Sequence, residues 1–178
     1  MISKLLLVKP SSEYYEEYLS FYNEWKSSGE DMVPWVIEKD PSDFIQYVSF
    51  LYSQDSEEKI NIEAFVPHST YWLVDSQQTV LGAFNIRHRL NEKLYNCGGR
   101  IGYGIRPSQR RKGYATSLLS LTLEKTRALG LDTVLVVCDK GNMGSERTII
   151  KNGGRFDSEF VEEDSGNIVR RFWIDLNV

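Results

Sequence analysis

The chain predicts an α/β (α+β) fold with a mixed central β-sheet flanked by helices, and three stretches carry that prediction. Residues 71–74 and 79–87 are apolar, β-branched runs flanking Asp75-Ser76-Gln77-Gln78, the pattern of a hairpin closed by a short polar turn. Residues 100–138 read as strand, glycine-bearing turn, leucine-rich helix and buried strand, and a unit of that kind implies a right-handed crossover between parallel strands. Residues 155–160 and 168–176 form a closing hairpin around Glu163-Asp164-Ser165-Gly166-Asn167. With a further run at 4–8, the sheet comes to roughly six to seven strands.

A length of 178 residues suits a single domain, 1–178, large enough to bury a core. Hydrophobic residues at 41% and charged residues at 26% are usual for a globular protein. The net charge of −4 argues against a nucleic-acid partner, whose footprint is basic. The cations gather locally instead, at 106–112. Cys97 and Cys138 make neither a disulfide framework nor a metal motif, so no metal is expected and the expected setting is reduced and cytoplasmic. Lys4-Leu5-Leu6-Leu7-Val8-Lys9 is too short for a leader or a membrane span, so no membrane partner is expected.

Taken in order, residues 4–8 are the first strand, closed by Pro10. Ser11-Ser12-Glu13 starts a helix in which Tyr15, Tyr18, Leu19, Tyr22 and Trp25 recur at helical spacing as a core face. Ser27-Ser28-Gly29-Glu30-Asp31 ends it. Met32-Val33-Pro34-Trp35-Val36 is an irregular apolar segment that either lines a pocket or packs over the helices. Asp40 as N-cap and Pro41 at the first position start a second helix, with Phe44, Val48 and Leu51 inward. Beyond the first hairpin, His88 stands between Arg87 and Arg89, cations that oppose its protonation and make it a poor general base. His68 falls in a loop, as do residues 91–96. After the strand at 100–105, a helix from about 108 to 129 buries Ala115, Leu118, Leu119, Leu121 and Leu123 and stops at Gly130. Residues 133–138 are nearly all β-branched or apolar, a strand covered on both faces. Asn142 opens a last helix that ends at Lys151-Asn152-Gly153.

Arg110-Arg111-Lys112-Gly113-Tyr114-Ala115 lies where the strand at 100–105 gives way to the long helix. Free N–H groups and the positive end of the helix dipole attract an anion there. Cations at that end oppose the dipole by about 0.3–1 kcal/mol each, a penalty that a bound polyphosphate reverses. Arg110-x-x-Gly113-x-Ala115 follows Ile105-Arg106-Pro107 and precedes Asn142-x-x-Ser145 and Asn152-Gly153-Gly154. The pattern resembles the Q/R-x-x-G-x-G/A signature and second conserved element of the GCN5-related N-acetyltransferases, the GNAT superfamily. The resemblance covers the C-terminal half well and residues 1–70 only in general layout.

That resemblance implies a sheet whose central parallel strands splay apart, acetyl-CoA or another acyl-CoA as cosubstrate, and a primary amine of a small molecule or peptide as acceptor. It assigns main-chain groups of Tyr103, Gly104 and Ile105 to the pantetheine and acyl group. It assigns the amides of Arg110, Arg111, Lys112, Gly113, Tyr114, Ala115 and Thr116 to the diphosphate. Asn142 and Ser145 go to the pantetheine arm, with helix capping as the other role of Asn142; Arg147 is either a phosphate contact or a solvated side chain. Residues 98–154 become the acyl-CoA-binding core, and 1–70 the strand and helices on the acceptor side. Members of the superfamily often dimerise, which leaves a homodimer open.

The chain also departs from the superfamily's pattern. The tyrosine usual seven residues after the Asn is Ile149 here, and Gly98-Gly99-Arg100 stands where some members carry a glutamate. Tyr103 is the remaining candidate acid. Asp139, at the carboxyl end of a central strand, is the candidate base, with a water chain or a purely loop-capping role as alternatives. Loss of the usual acid admits the alternative of an acyl-CoA-binding protein with weak or no turnover. Gly102-x-Gly104 is only a fragment of a dinucleotide fingerprint, and no Walker or G-x-S-x-G motif occurs. Glu30, Asp31, Glu38 and Asp40 are acidic residues suited to attracting a cationic amine.

Overall fold

The computed structural model describes residues 4–62 and 65–177. Its elements in chain order are β1 (Leu6–Val8), α1 (Tyr15–Ser28), α2 (Phe44–Ser53), β2 (His68–Val74), β3 (Val80–Arg87), β4 (Ile101–Ile105), α3 (Tyr114–Ala128), β5 (Thr133–Asp139), α4 (Met143–Lys151), β6 (Arg155–Val161) and β7 (Ile168–Asp175). The strands form a four-stranded sheet in the order β1-β2-β3-β4 and a three-stranded sheet in the order β5-β7-β6. Every ladder within them is antiparallel.

The expected parallel pair is a seam rather than a ladder. The Arg100 N–H donates to the Leu135 carbonyl at 2.8 Å, and no ladder joins β4 to β5 beyond it. Gly99 makes this approach feasible: it has φ +66°, and a Cβ there would stand 3.1 Å from the Leu135 oxygen. Past the seam the backbone pairing leaves two strand edges free. Arg106 N–H donates to Leu81 O, and Arg87 N–H to Arg100 O. Antiparallel alternation then turns the polar groups of Tyr103 and Ile105 away from β3, toward β5. On the opposite bank, Lys140 N–H donates to Ile168 O and Leu176 N–H to Asp132 O, which turns Val137 and Asp139 toward β4.

Helices α1 and α2 cover the first sheet through an aromatic core of Tyr18, Phe21, Trp25, Phe44, Tyr47 and Trp72. The Tyr18 ring stacks on Trp72 at 4.4 Å, and its hydroxyl bonds that of Tyr47. The aromatic stripe of α1 is therefore core, with Phe21 added to it and Tyr15 left exposed. A second cluster joins Leu119 and Leu123 of α3 to Val134 and Val136 of β5, Ile149 of α4 and Phe172 of β7. A third packs Leu118 against Leu73, Leu81, Phe84 and Ile105. Leu121 and Ala115 are only half-buried, and Thr122 and Thr126 fill the buried face of α3 with their hydroxyls bonded to the Leu118 and Thr122 carbonyls.

Several local expectations are corrected. The N-cap of α2 is Asp43, whose carboxylate accepts the Gln46 N–H at 3.0 Å, whereas Asp40 closes its own turn by accepting the Ser42 N–H. Asx turns and caps use the same short acceptor, so sequence alone misplaces the start by three positions. Residues 94–98 form a wide helical turn, with Asn91 Oδ1 capping Leu94 N–H, in place of the tail of a loop. His68 lies in β2, buried, with Asn85 Nδ2 at 2.8 Å from its Nδ1. Burial, then the nearby Arg87, holds its pKa down at about 4, so the ring is neutral. Helix α3 begins at Tyr114, not near 108, because residues 107–109 form a separate tight turn and Arg111 and Gly113 adopt left-handed conformations.

Candidate active site

The turn ahead of α3 exposes an unbroken run of donors. Arg110 N–H is bonded to Pro107 O, and Ser117 N–H to Gly113 O. Between them, among the described residues, the N–H groups of Arg111, Lys112, Gly113, Tyr114, Ala115 and Thr116 have no protein acceptor. Arg111 at φ +62° and Gly113 at φ +85° curl the chain into alternating-handed backbone, the geometry of an anion-binding nest. A left-handed arginine is disfavoured, and such conformations gather at ligand sites. At Gly113 a Cβ would meet nothing within 4 Å, so the space beside the nest is open.

That nest opens into a cleft of about 780 Å³, a volume in the range of small-molecule sites. Tyr103, Gly104, Ile105, Arg110, Arg111, Gly113, Ala115, Thr116, Asp139, Asn142 and Ser145 all line it, so nearly every residue singled out in the sequence meets in one place. Lys112 and Tyr114 are not among the lining residues: Lys112 Nζ turns out to Gln109 Oε1 at 2.9 Å, and the Tyr114 ring packs in the third core cluster. Arg110 departs from its assignment. Its amide is already engaged, its Nε donates to Ile105 O at 3.1 Å, and its guanidinium pairs with Glu30 over the Trp25 ring. It fastens the turn to β4 and to the loop after α1. Gly104 is also reassigned, since alternation commits its polar groups to β3. A Cβ on it would fall 2.4 Å from both the Trp25 ring and the Val33 carbonyl, so a glycine is what lets α1 and the Met32–Val36 segment close this wall.

A second fastening holds the strand-to-turn junction. Arg106, 7% exposed, donates to Glu24, to Ser20 Oγ and to Val80 O, while Glu24 also accepts the Ser108 N–H at 2.7 Å. Burial alone raises a carboxyl pKa, but the Ser108 N–H and the Arg106 guanidinium outweigh it and hold Glu24 below its ordinary value.

Three protic side chains converge at the splay. Tyr103 Oη lies 2.9 Å from Ser145 Oγ, and Cys138 is beside them. Burial pushes the Tyr103 phenol up to about 12 and the Cys138 thiol up to about 11, the latter helped by Glu146. Both keep their protons at neutral pH, so Cys138 is a poor nucleophile. Ile149, at the position of the superfamily's tyrosine, is fully buried in the core. Asn142 lines the cleft and caps α4, its Oδ1 accepting the Ser145 N–H at 3.0 Å. Asp139 is exposed at the cleft's edge, and its carbonyl accepts the Asn142 N–H. His88 is bonded to Ser69 Oγ at 2.8 Å and lies outside the cleft lining.

Val33, from the apolar segment offered either as pocket lining or as packing, lines the cleft; sequence reasoning missed the lining residues Trp25, Arg87, Cys97 and Glu162. These come from four separated stretches that carry no shared motif. The pair Gly102 and Gly104 was the one available signal, because two glycines in a buried strand mark close approach by something else. Among the described residues no cluster of His, Cys, Asp and Glu has the makings of a metal site, and no helix is long and apolar enough to cross a membrane.

The two sheets part beside a turn whose free amides open into the cleft. The family model for the acetyltransferase (GNAT) domain matches residues 4–155. The chain belongs to the GNAT acetyltransferase family, and it is an acetyltransferase. No curated protein matches it significantly in sequence. Among solved structures it is similar to a chimera of the spermidine N-acetyltransferase SpeG from Vibrio cholerae with hSSAT (TM-score 0.67, 15% identity, 98% of this chain and 97% of that one). It is also similar to the microcin C7 self-immunity acetyltransferase MccE solved with acetyl-CoA and AMP (TM-score 0.68, 15% identity, 97% and 92%). A dodecameric spermidine N-acetyltransferase from V. cholerae matches with TM-score 0.64 and 16% identity over 97% and 94% of the chains. At these identities the likeness is one of fold.

Proposed function

We propose that this acetyltransferase moves the acetyl group of acetyl-CoA onto a primary amine by direct attack. The amine nitrogen bonds to the thioester carbonyl carbon, the C–S bond breaks, the amine loses a proton and the CoA sulfur leaves as thiolate. The observation that carries this reading is the run of unpartnered N–H groups from Arg111 to Thr116 opening onto the splayed strands. Those amides hold the diphosphate. The free edges at Tyr103, Ile105 and Val137 pair with the amides of the pantetheine arm as a neighbouring strand would, and Asn142 Nδ2 adds a donor. Cys138 takes no covalent part, because its thiol stays protonated.

Magnitudes set the role of Tyr103. A phenol at about 12 gives its proton to a thiolate near 8.5 only at a cost of about 5 kcal/mol. It therefore serves as a hydrogen-bond donor that stabilises the departing sulfur, with Ser145 orienting it. The amine proton, which costs about 4–5 kcal/mol to remove from a lysine-like amine at neutral pH, leaves to solvent along the open mouth where Asp139 sits. Residues 1–70 furnish the acceptor side and 98–154 the donor side of one unit. Self-association, as in the dodecameric relative in fold, and a reducing cytoplasmic setting that keeps Cys97 and Cys138 free complete the reading.

Thiol release from acetyl-CoA with a panel of primary amines tests the reaction. Release above buffer with at least one amine supports it, and acetyl-CoA binding without release from any amine would refute it. Tyr103→Phe is expected to lower kcat about tenfold, with KM for acetyl-CoA nearly unchanged. Because the phenol is held near 12, the wild-type kcat profile should show no fall attributable to Tyr103 below about pH 11.

A further inference from the structure

Among the described residues two half-buried arginines, Arg87 and Arg100, lack a carboxylate partner; Arg100 Nη1 donates to the Arg87 and His88 carbonyls and lies outside the cleft lining, whereas Arg87 lines it. Arg106, Arg110, Arg170 and Arg171 each pair with a carboxylate. Among the described residues, no carboxylate lies within ion-pair distance of Arg87. Its guanidinium makes one long hydrogen bond, from Nη1 to Gly98 O at 3.3 Å, and it lines the cleft. The neighbouring strand makes room for it: a Cβ at Gly102 would stand 3.2 Å from Nη2 and 3.3 Å from Nη1. Leaving a desolvated cation without a partner is unfavourable, so the planar fork is an open receptor for an oxyanion.

This receptor does not serve the donor's diphosphate. Gly102 and Ile105 are separated by about 10 Å of strand, and the amide nest begins beyond Ile105, past the turn at 107–109. Arg87 thus sits at the opposite end of β4 from the nest, on the side away from α3. Asp31 and Glu162 line the same cleft, so both signs of charge face an incoming amine.

We propose that Arg87 anchors a carboxylate or phosphate group carried by the acceptor amine, making the acceptor an amine with an anionic pole rather than a polyamine. The inference rests on the acetyl-transfer reading above and specifies its acceptor. Burial lowers the Arg87 pKa to about 10, which leaves it charged at neutral pH.

The test is thiol release from acetyl-CoA with matched amines: leucine against leucinamide for the carboxylate, phosphoethanolamine against ethanolamine for the phosphate, and spermidine as the polycation. The wild type is expected to favour at least one anionic member over its neutral partner by about tenfold or more in kcat/KM, with spermidine poor. Arg87→Gln, which removes the charge and keeps an amide donor, should lower kcat/KM for the anionic member about tenfold more than for its neutral partner and so remove that preference. Gly102→Ala, which crowds the fork, should reduce the preference in the same direction. Equal turnover within both pairs, turnover of no anionic member, or a preference that survives Arg87→Gln would overturn the proposal. Thiol release with the neutral amines or spermidine by the same samples distinguishes that outcome from failure of the acetyl-transfer reading itself, in which no amine gives release.

Discussion

Gly113→Leu is expected to weaken acetyl-CoA binding by about a hundredfold or more while the protein stays folded. A Cβ at this position points into space where no protein atom lies within 4 Å, so the substitution creates no clash of its own. The isobutyl group instead occupies the concavity formed by the free amides. Losing two charge-assisted hydrogen bonds at about 1.5–3 kcal/mol each accounts for the magnitude. The left-handed backbone at φ +85° adds strain of about 1–2 kcal/mol to the folded state. Gly130→Leu separates the two effects. Gly130 has φ +78° and an equally empty surround, but it ends α3 outside the cleft lining. It should lose similar stability and no affinity. Calorimetry and thermal melts of both variants decide the matter, and unchanged binding in Gly113→Leu would remove the nest from the account.

Glu24→Ala is expected to destabilise the protein by about 3 kcal/mol, since it strands the Arg106 guanidinium among Val80, Ser20 and the end of β4. The same change frees the Ser108 N–H, loosening the turn that presents the nest, so acetyl-CoA affinity should fall as well. The sign of the pH dependence follows from the Glu24 carboxyl being held below its ordinary value. A depressed carboxyl contributes stability that is present above its unfolded pKa of about 4.3 and lost as pH falls through the lower folded value. The stability gap between wild type and Glu24→Ala, measured by urea unfolding, should therefore be full at pH 7 and narrow below about pH 4. A gap under about 1 kcal/mol at pH 7 would mean that Arg106 finds other partners.

The donor half of the site was legible because it is written in consecutive residues. Arg110 to Ala115, the strand before them and Asn142 to Ser145 after them lie within one continuous β4-α3-β5-α4 run, where local spacing dictates geometry. Even there the chemistry of individual residues shifted. Arg110 had the sequence of a phosphate ligand, but Glu30 and the Ile105 carbonyl claim its side chain, and such claims come from residues far away in the chain. Gly104 was assigned a main-chain contact to the pantetheine, but its polar groups pair with β3, and it is small for Trp25 and Val33. Of the rest of the cleft lining, Glu30, Asp31 and Val33 fall in stretches the sequence offered, whereas Trp25, Arg87 and Glu162 were not legible because they meet only once the two sheets have parted. The splay of β4 from β5 came from the resemblance, because β-branched content in residues 133–138 shows burial but not where two neighbouring strands part. Strand number, hairpins and the helix ends at Gly29, Gly130 and Gly153 were readable from local turn chemistry, each glycine having φ above +70°.

The claim on which all of this turns is that the backbone nitrogens from Arg111 to Thr116 receive the donor's diphosphate. The direct measurement is an amide proton–nitrogen NMR titration of the protein with acetyl-CoA, set beside one with S-acetylpantetheine, which lacks the diphosphate. The account predicts that acetyl-CoA produces the largest downfield amide shifts at residues 111–116, and that S-acetylpantetheine leaves those amides unmoved while still perturbing Tyr103 and Ile105. Saturating acetyl-CoA binding with residues 111–116 undisturbed would contradict it.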